Sequence, residues 1–191
     1  MSEWNLVRSE IEYDTEWYTG GYDLMEQPDG SQKRYYWAEL PPAVIVVPIH
    51  NNSIIFVNQY RPVIQQECLE LPAGIVEGND MEGGELSESY PNVSSEAYTS
   101  AGNRELSEET GFRANSITFI EDCWVATGIL RHRRGIVVAT DLTAGSPDTE
   151  SNEFLSVQTI PIDKALQRVR HSPTNDATLE AILLAKEEEC I

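Results

Sequence analysis

Glu105, Glu108 and Glu109 sit close together in the stretch "GNRELSEETGF", residues 102–112. On an α-helix their carboxylates fall within an arc of about 100°, because residues three and four apart are surface neighbours. Like charges so placed repel, and the arrangement is unfavourable unless cations neutralise it. The fitting partner is a hard divalent metal: Mg2+ takes carboxylate and carbonyl oxygens, keeps several waters and bridges to substrate phosphates. Phosphate and an activated water would then meet in one place, which is what metal-assisted attack on phosphorus requires. The competing reading is a solvated acidic face, common in a chain of this composition. Context separates the two. Arg104 precedes the first acid, Leu106 lies outside the acid arc, Gly111 stops the helix, Phe112 follows as an apolar anchor, and Glu96 stands eight positions before Arg104. The guanidinium fork of Arg104 can hold a carboxylate in ligand geometry, a task lysine performs poorly. Glu96 is either its orienting partner or an N-terminal contact with the helix dipole.

Glu96, seven residues and then "RELSEETGF" together resemble the Nudix box, G-x5-E-x7-R-E-U-x-E-E-x-G-U with U apolar. Every position from Glu96 onward fits. Upstream the chain departs from the pattern: Tyr90 stands where the glycine belongs, and the plausible box glycine is Gly74 in "LELPAG", which lengthens the loop by 16 residues. The segment "FVNQYRPVIQQECLELPAGIVEG" is similar to the one preceding the box in ADP-ribose pyrophosphatases, and "NDATLEAILLA" resembles the end of their terminal helix.

The resemblance implies a set of roles. The Ala73 carbonyl would join Glu105, Glu108 and Glu109 around Mg2+, with Mn2+ as a substitute. Arg61 would meet the diphosphate, with Arg34 a weaker candidate for the same task. Glu70 would line the cleft or pair with Arg61. A loop glutamate, Glu153 or Glu150, would assist the metal and water, or both are merely loop acids. The activity implied is hydrolysis of ADP-ribose to AMP and ribose 5-phosphate. The alternatives are a pyrophosphatase for another nucleoside diphosphate derivative, such as a nucleotide sugar or dinucleotide, and a nucleotide-binding protein that does not cleave. Thr127 in "ATGIL" replaces the proline typical of the family's substrate loop, while Arg131, His132, Arg133 and Arg134 are either phosphate contacts or a local basic patch.

The elements that carry these residues follow from patterning. Ser94 or Ser95 can cap the acid-bearing helix, with Glu96 in its first turn and Gly111 supplying the left-handed residue that ends it. The runs "AVIVVPI" and "SIIFVNQYR", separated by "HNN", read as a core hairpin, and residues 78–93 as an exposed insertion loop. "SITFIED", "RGIVVATDL" and "FLSVQTI" read as strands, and "PIDKALQRVR" and "NDATLEAILLAKEEE" as helices with Asp163 and Asp176 near their starts. The expected fold class is α/β with a mixed sheet: a Nudix-type α/β/α sandwich at 41–191, preceded by a small antiparallel β unit at 1–40. In that N-terminal unit Tyr35, Tyr36 and Trp37 alternate faces, and Trp37 is a candidate surface for stacking a nucleobase. Trp4, Trp17 or Tyr18 of the same unit suits contact with a partner chain, and the resemblance implies a homodimer exchanging N-terminal strands.

Composition bounds the partners. The chain has 191 residues, 40% of them apolar, enough for one sizeable core. Its net charge is −19, with 32 acids against 13 bases, of which only Lys33, Lys164 and Lys186 are lysine. Such a surface disfavours nucleic acid and suits concentrated salt, where charges are screened, so a halophilic source is expected; an acidic mesophilic protein is the alternative. No apolar run is long enough for a membrane span, and the start of the chain lacks the basic and apolar regions of a signal peptide. Three scattered cysteines fit reduced thiols in a cytoplasm.

Overall fold

The computed structural model describes residues 3–78, 93–146 and 154–191. Most of the expected insertion loop, together with Glu150 and Glu153, lies outside the described residues. The chain divides into two units, Met1–Pro42 with Cys123–Arg133, and Ala43–Asp122 with Arg134–Ile191.

In the first unit, β1 (Asn5–Asp14), β2 (Thr19–Glu26) and β3 (Gln32–Glu39) form an antiparallel meander, and the short β9 (Leu130–Arg131) adds in parallel beside β3. Residues 123–133, read from the sequence as part of the larger domain, therefore cluster with the N-terminal strands. Asp23 joins the strands of this sheet. Its carboxylate accepts from Ser9 Oγ at 2.7 Å, from Trp37 Nε1 at 3.0 Å and from Arg131, whose guanidinium also lies 3.8 Å over the Trp37 ring. Burial pushes the Asp23 pKa up, but the hydrogen bonds from Ser9, Trp37 and Arg131 outweigh it and hold the carboxyl below its ordinary range.

The second unit is a sandwich built on β4 (Ala43–His50). Side chains alternate across a strand, and β4 divides accordingly: Ile45 and Val47 enter one core cluster, Val44 and Val46 another, all fully buried. The first cluster is covered by α2 (Ile162–Arg170) and α3 (Asp176–Glu187) through Ala165, Val169, Ala181 and Ile182. The second is covered by α1 (Ser95–Thr110) through Ala97, Tyr98, Ala101 and Leu106. The sheet order is β11 (Leu155–Pro161), β5 (Ser53–Arg61), β4, β10 (Arg133–Ala144) and β8 (Phe112–Trp124). Two short strands lie off that path: β6 (Gln66–Glu70) pairs with β5, and β7 (Ala73–Ile75) with β4. The expected β4–β5 hairpin turns on Asn51 and Asn52, both left-handed at φ 49° and 59°, as a two-residue turn matched to strand twist requires. No helix among the described residues is long and apolar enough to cross a membrane.

Candidate active site

Helix α1 presents the acids because both its ends are fixed. The Ser94 side chain accepts from Ala97 N at 3.1 Å, and Gly111, at φ 77°, returns its N–H to Ser107 O at 2.9 Å. Asn103 Oδ1 accepts from Ala114 N at 2.9 Å and ties the helix to β8. With Leu106 fully buried, rotation of α1 is set and its acid face turns toward β7.

Three consecutive residues of β7 each meet one residue of that face. Ala73 N donates to Glu109 Oε2 at 3.3 Å. At Gly74 a Cβ would stand 2.1 Å from the Glu105 carboxylate, so any larger residue would require that side chain to move from its place against the strand. Ile75 O accepts from Arg104 Nη2 at 2.7 Å. The other end of the same guanidinium serves the acids: Arg104 Nη1 donates to Glu105 Oε1 at 2.8 Å and to Glu108 Oε2 at 3.0 Å. Arg104 thus relieves the repulsion between neighbouring carboxylates while anchoring them to the sheet.

Arg61, at the end of β5, pairs with Glu70 on β6 through Nε at 3.2 Å and through Nη2. The Glu70 side chain is 3% exposed and that of Arg61 43%, so the acid is the buried anchor and the guanidinium the part that reaches solvent. The Glu70 hydrogen bond, with smaller contributions from the charges of Glu70 and Glu109, outweighs burial and raises the Arg61 pKa further above its ordinary value. Arg61 therefore stays cationic beside the acid cluster. Of the two sequence readings for Glu70, the structure displays the ion pair.

Glu96 stands at the helix start, where its carboxylate accepts from Ser95 Oγ at 3.2 Å. Its own backbone N–H and the hydroxyls of Ser95 and Ser94 lower its pKa. These contacts, in the first turn of α1, are of the kind the dipole-contact alternative describes. A concavity of about 500 Å³ runs along the outer face of α1, where Glu96, Arg104 and Glu108 line it together with Arg113 and Ile117 of β8.

The structure thus brings Arg104, Glu105, Glu108, Glu109, Arg61, Glu70 and Ala73 together within the larger unit. Arg34 and Trp37 belong to the other unit, where the Arg34 guanidinium lies 4.5 Å over the Tyr22 ring and one face of Trp37 carries Arg131. Two cations of the "RHRR" segment are similarly engaged: Arg131 with Asp23, and Arg134 with Asp176 at 3.4 Å and with Glu180. Sequence reasoning missed the Ile75 carbonyl and the clamp of β7 onto α1. A three-residue strand has no periodicity to betray it, and the glycine of "LPAG" was the only signal.

The donor set suits a hard divalent cation. Glu105, Glu108 and Glu109 offer oxygens only, and the room left by Gly74 lets a carboxylate lie against the strand. Among the described residues, no three His, Cys, Asp or Glu side chains converge into a preformed cage. Mg2+ does not need one, since it keeps waters and shares substrate phosphate oxygens.

Comparison with known proteins identifies the family and the fold. The NUDIX domain pattern matches residues 39–182. The chain is 28% identical over 156 residues to the ADP-ribose pyrophosphatase of Bacillus subtilis (strain 168), covering 80% of this chain and 76% of that protein. It is 27% identical over 146 residues to the ADP compounds hydrolase NudE of Escherichia coli (strain K12), covering 76% and 70%. It is also 27% identical over 159 residues to the methanol dehydrogenase activator of Bacillus methanolicus, covering 81% and 77%. The fold matches the crystal structure of an ADP compounds hydrolase with a TM-score of 0.80 at 24% identity, over 97% of this chain and 94% of that one. With the box residues gathered on one helix face against β7 and the domain pattern spanning most of its length, the chain belongs to the NUDIX family and is a Nudix hydrolase.

Proposed function

We propose that this enzyme hydrolyses the diphosphate bond of ADP-ribose, giving AMP and ribose 5-phosphate, with Mg2+ as cofactor and Mn2+ as a substitute. The observation that carries the reading is the meeting, on one face of the larger unit, of an acid cluster locked to β7 with an arginine fixed by a buried acid. When bound, the cation would neutralise diphosphate charge and lower the pKa of a water. The protein's own groups supply the positioning. Arg61, pinned by Glu70, offers a planar fork to a phosphate. Arg104 holds Glu105 and Glu108 in place, and the Ala73 N–H holds Glu109. The Ala73 carbonyl completes the oxygen set. Glu153, or Glu150, takes the attacking water's proton. Arg34 is the weaker candidate for a diphosphate contact and Trp37 a candidate stacking surface for the base, both carried by the smaller unit.

ADP-ribose is favoured because the Bacillus subtilis relative bears that activity in its name and the segment around Arg61 resembles such enzymes. The lengthened loop before Glu96 favours, as the second reading, another nucleoside diphosphate derivative. The protein is further proposed to be a homodimer in a salt-rich cytoplasm. The ten residues of β1 form an exposed edge strand bearing Leu6, Ile11 and Tyr13, the kind of surface a second copy covers.

Product analysis on a panel of nucleoside diphosphate compounds, with Mg2+ or Mn2+ at high salt, tests the reading. The wild type should release AMP and ribose 5-phosphate, and Glu109→Gln should lower kcat by about 100-fold or more. Faster turnover of other diphosphates would replace the substrate. Nucleotide binding without turnover would replace catalysis.

A further inference from the structure

The strand segment that holds the acids is itself held from the opposite face of the sheet by the start of α3. Leu69 N donates to Pro173 O at 2.9 Å, Thr174 Oγ1 donates to Leu69 O at 2.7 Å, and Leu71 N donates to Thr178 Oγ1 at 3.1 Å. Pro72 O then accepts from Val46 N at 2.9 Å, and Ala73 pairs with Ile45. Glu70 therefore sits between Leu69, fixed by the segment just before α3, and Leu71, fixed by Thr178 of α3, and β7 begins two residues after Leu71.

Thr178 is the unusual member of this set. It is 0% exposed and lies beside the apolar residues by which α3 joins the core, Ala177, Ala181 and Ile182. Valine would fill nearly the same volume there, but it would leave the Leu71 N–H without its acceptor, a costly state for a buried donor. Two further contacts fix α3. Asn175 caps it by accepting from Thr178 N at 2.8 Å, and Arg134 on β10 binds Asp176 and Glu180. On the other side of the sheet the Glu105 carboxylate lies in the space beside Gly74, so a shift of this backbone moves the surface that carboxylate rests on.

We propose that Thr178, assisted by Thr174, is a positioning residue for the acid cluster. Its hydroxyl sets the backbone from Leu69 to Ile75, and through it the places of Glu70, Glu105 and Glu109. It thereby sets the affinity for the divalent cation and, through Glu70 and Arg61, for the diphosphate. This rests on the reading of the site given above, and the test separates the two.

The full-length protein is titrated with Mn2+ alone, followed by electron paramagnetic resonance. Melting temperature, and kcat and KM for ADP-ribose, are measured on the same samples. Thr178→Val should weaken Mn2+ binding about tenfold, within the range typical of groups that orient metal ligands, and lower kcat. Thr178→Ser, which keeps the hydroxyl, should restore most of the affinity. Wild-type Mn2+ affinity in Thr178→Val, with only a lowered melting temperature, would overturn the proposal and leave a purely structural contact. If Thr178→Val does not fold, Thr174→Val is read by the same titration, and unchanged Mn2+ affinity there counts equally against it. A wild type that binds Mn2+ yet hydrolyses no nucleoside diphosphate overturns the functional reading, while the Mn2+ comparison still decides the positioning role. A wild type that binds no Mn2+ overturns both.

Discussion

On the proposed reading one ion pair, Glu70 with Arg61, serves both stability and diphosphate binding, and substitution can separate the two. The Glu70 side chain is 3% exposed, and its partner there is the guanidinium of Arg61. Arg61 is the outer partner, cationic at any working pH. Arg61→Ala leaves the acid buried and unpaired and should destabilise the protein by about 1–3 kcal/mol, towards the low end because the guanidinium is half in solvent. Glu70→Gln in that background removes the stranded charge and should recover much of the stability, whereas affinity for a diphosphate should remain as poor as in the single variant. Urea unfolding and KM measured on the four proteins of this cycle give both quantities. Recovery of KM along with stability would show that Arg61 serves only to balance Glu70.

At the scale of elements, α1 must keep its rotation and its ends for three β7 residues to meet Glu109, Glu105 and Arg104 together. Ser94→Ala should cost about 1 kcal/mol by removing the N-cap acceptor. Gly111→Ala should cost a similar amount by forcing a side chain into left-handed backbone. Ser94→Ala frays the end of the helix remote from the acids, so it should lower the melting temperature and spare kcat. Gly111→Ala strains the turn next to Glu109 and should lower both, which melting curves and initial rates on the two proteins will separate. These two caps were legible in the sequence, as were the β4–β5 hairpin and the alternation that divides the core, because each depends on residues close in the chain. β6 and β7 were not legible. They are five and three residues long, and their conformation comes from pairing with β5 and β4 rather than from any pattern of their own. The same holds for the acid partners of Arg131 and Arg134, two residues whose sequence reading was either phosphate contact or local basic patch: Asp23 and Glu180 are distant in the chain. The acid cluster was legible because a helix displays residues three and four apart on one face. The strand it closes on was marked only by Gly74.

At the scale of the whole molecule, a net charge of −19 acts on every element at once. The self-repulsion it creates is unlocalised and falls with ionic strength, the Debye length shrinking from about 10 Å at 0.1 M salt to about 3 Å at 1 M. If the surface is suited to concentrated salt, the melting temperature should rise steeply between those concentrations of KCl. The run Glu187, Glu188 and Glu189 at the end of α3 provides a local probe, since negative charge at a helix C-terminus opposes the dipole as well as the overall charge. Glu188→Lys should therefore stabilise by about 0.3–1 kcal/mol at low ionic strength and by much less at 1 M. Two melting series in KCl, wild type and Glu188→Lys, should start apart and converge. Parallel curves would mean that the substitution acts through something other than charge. A flat wild-type curve would mean that the acidic surface carries no stability cost for salt to relieve, and the expectation of a salt-rich origin would fall with it.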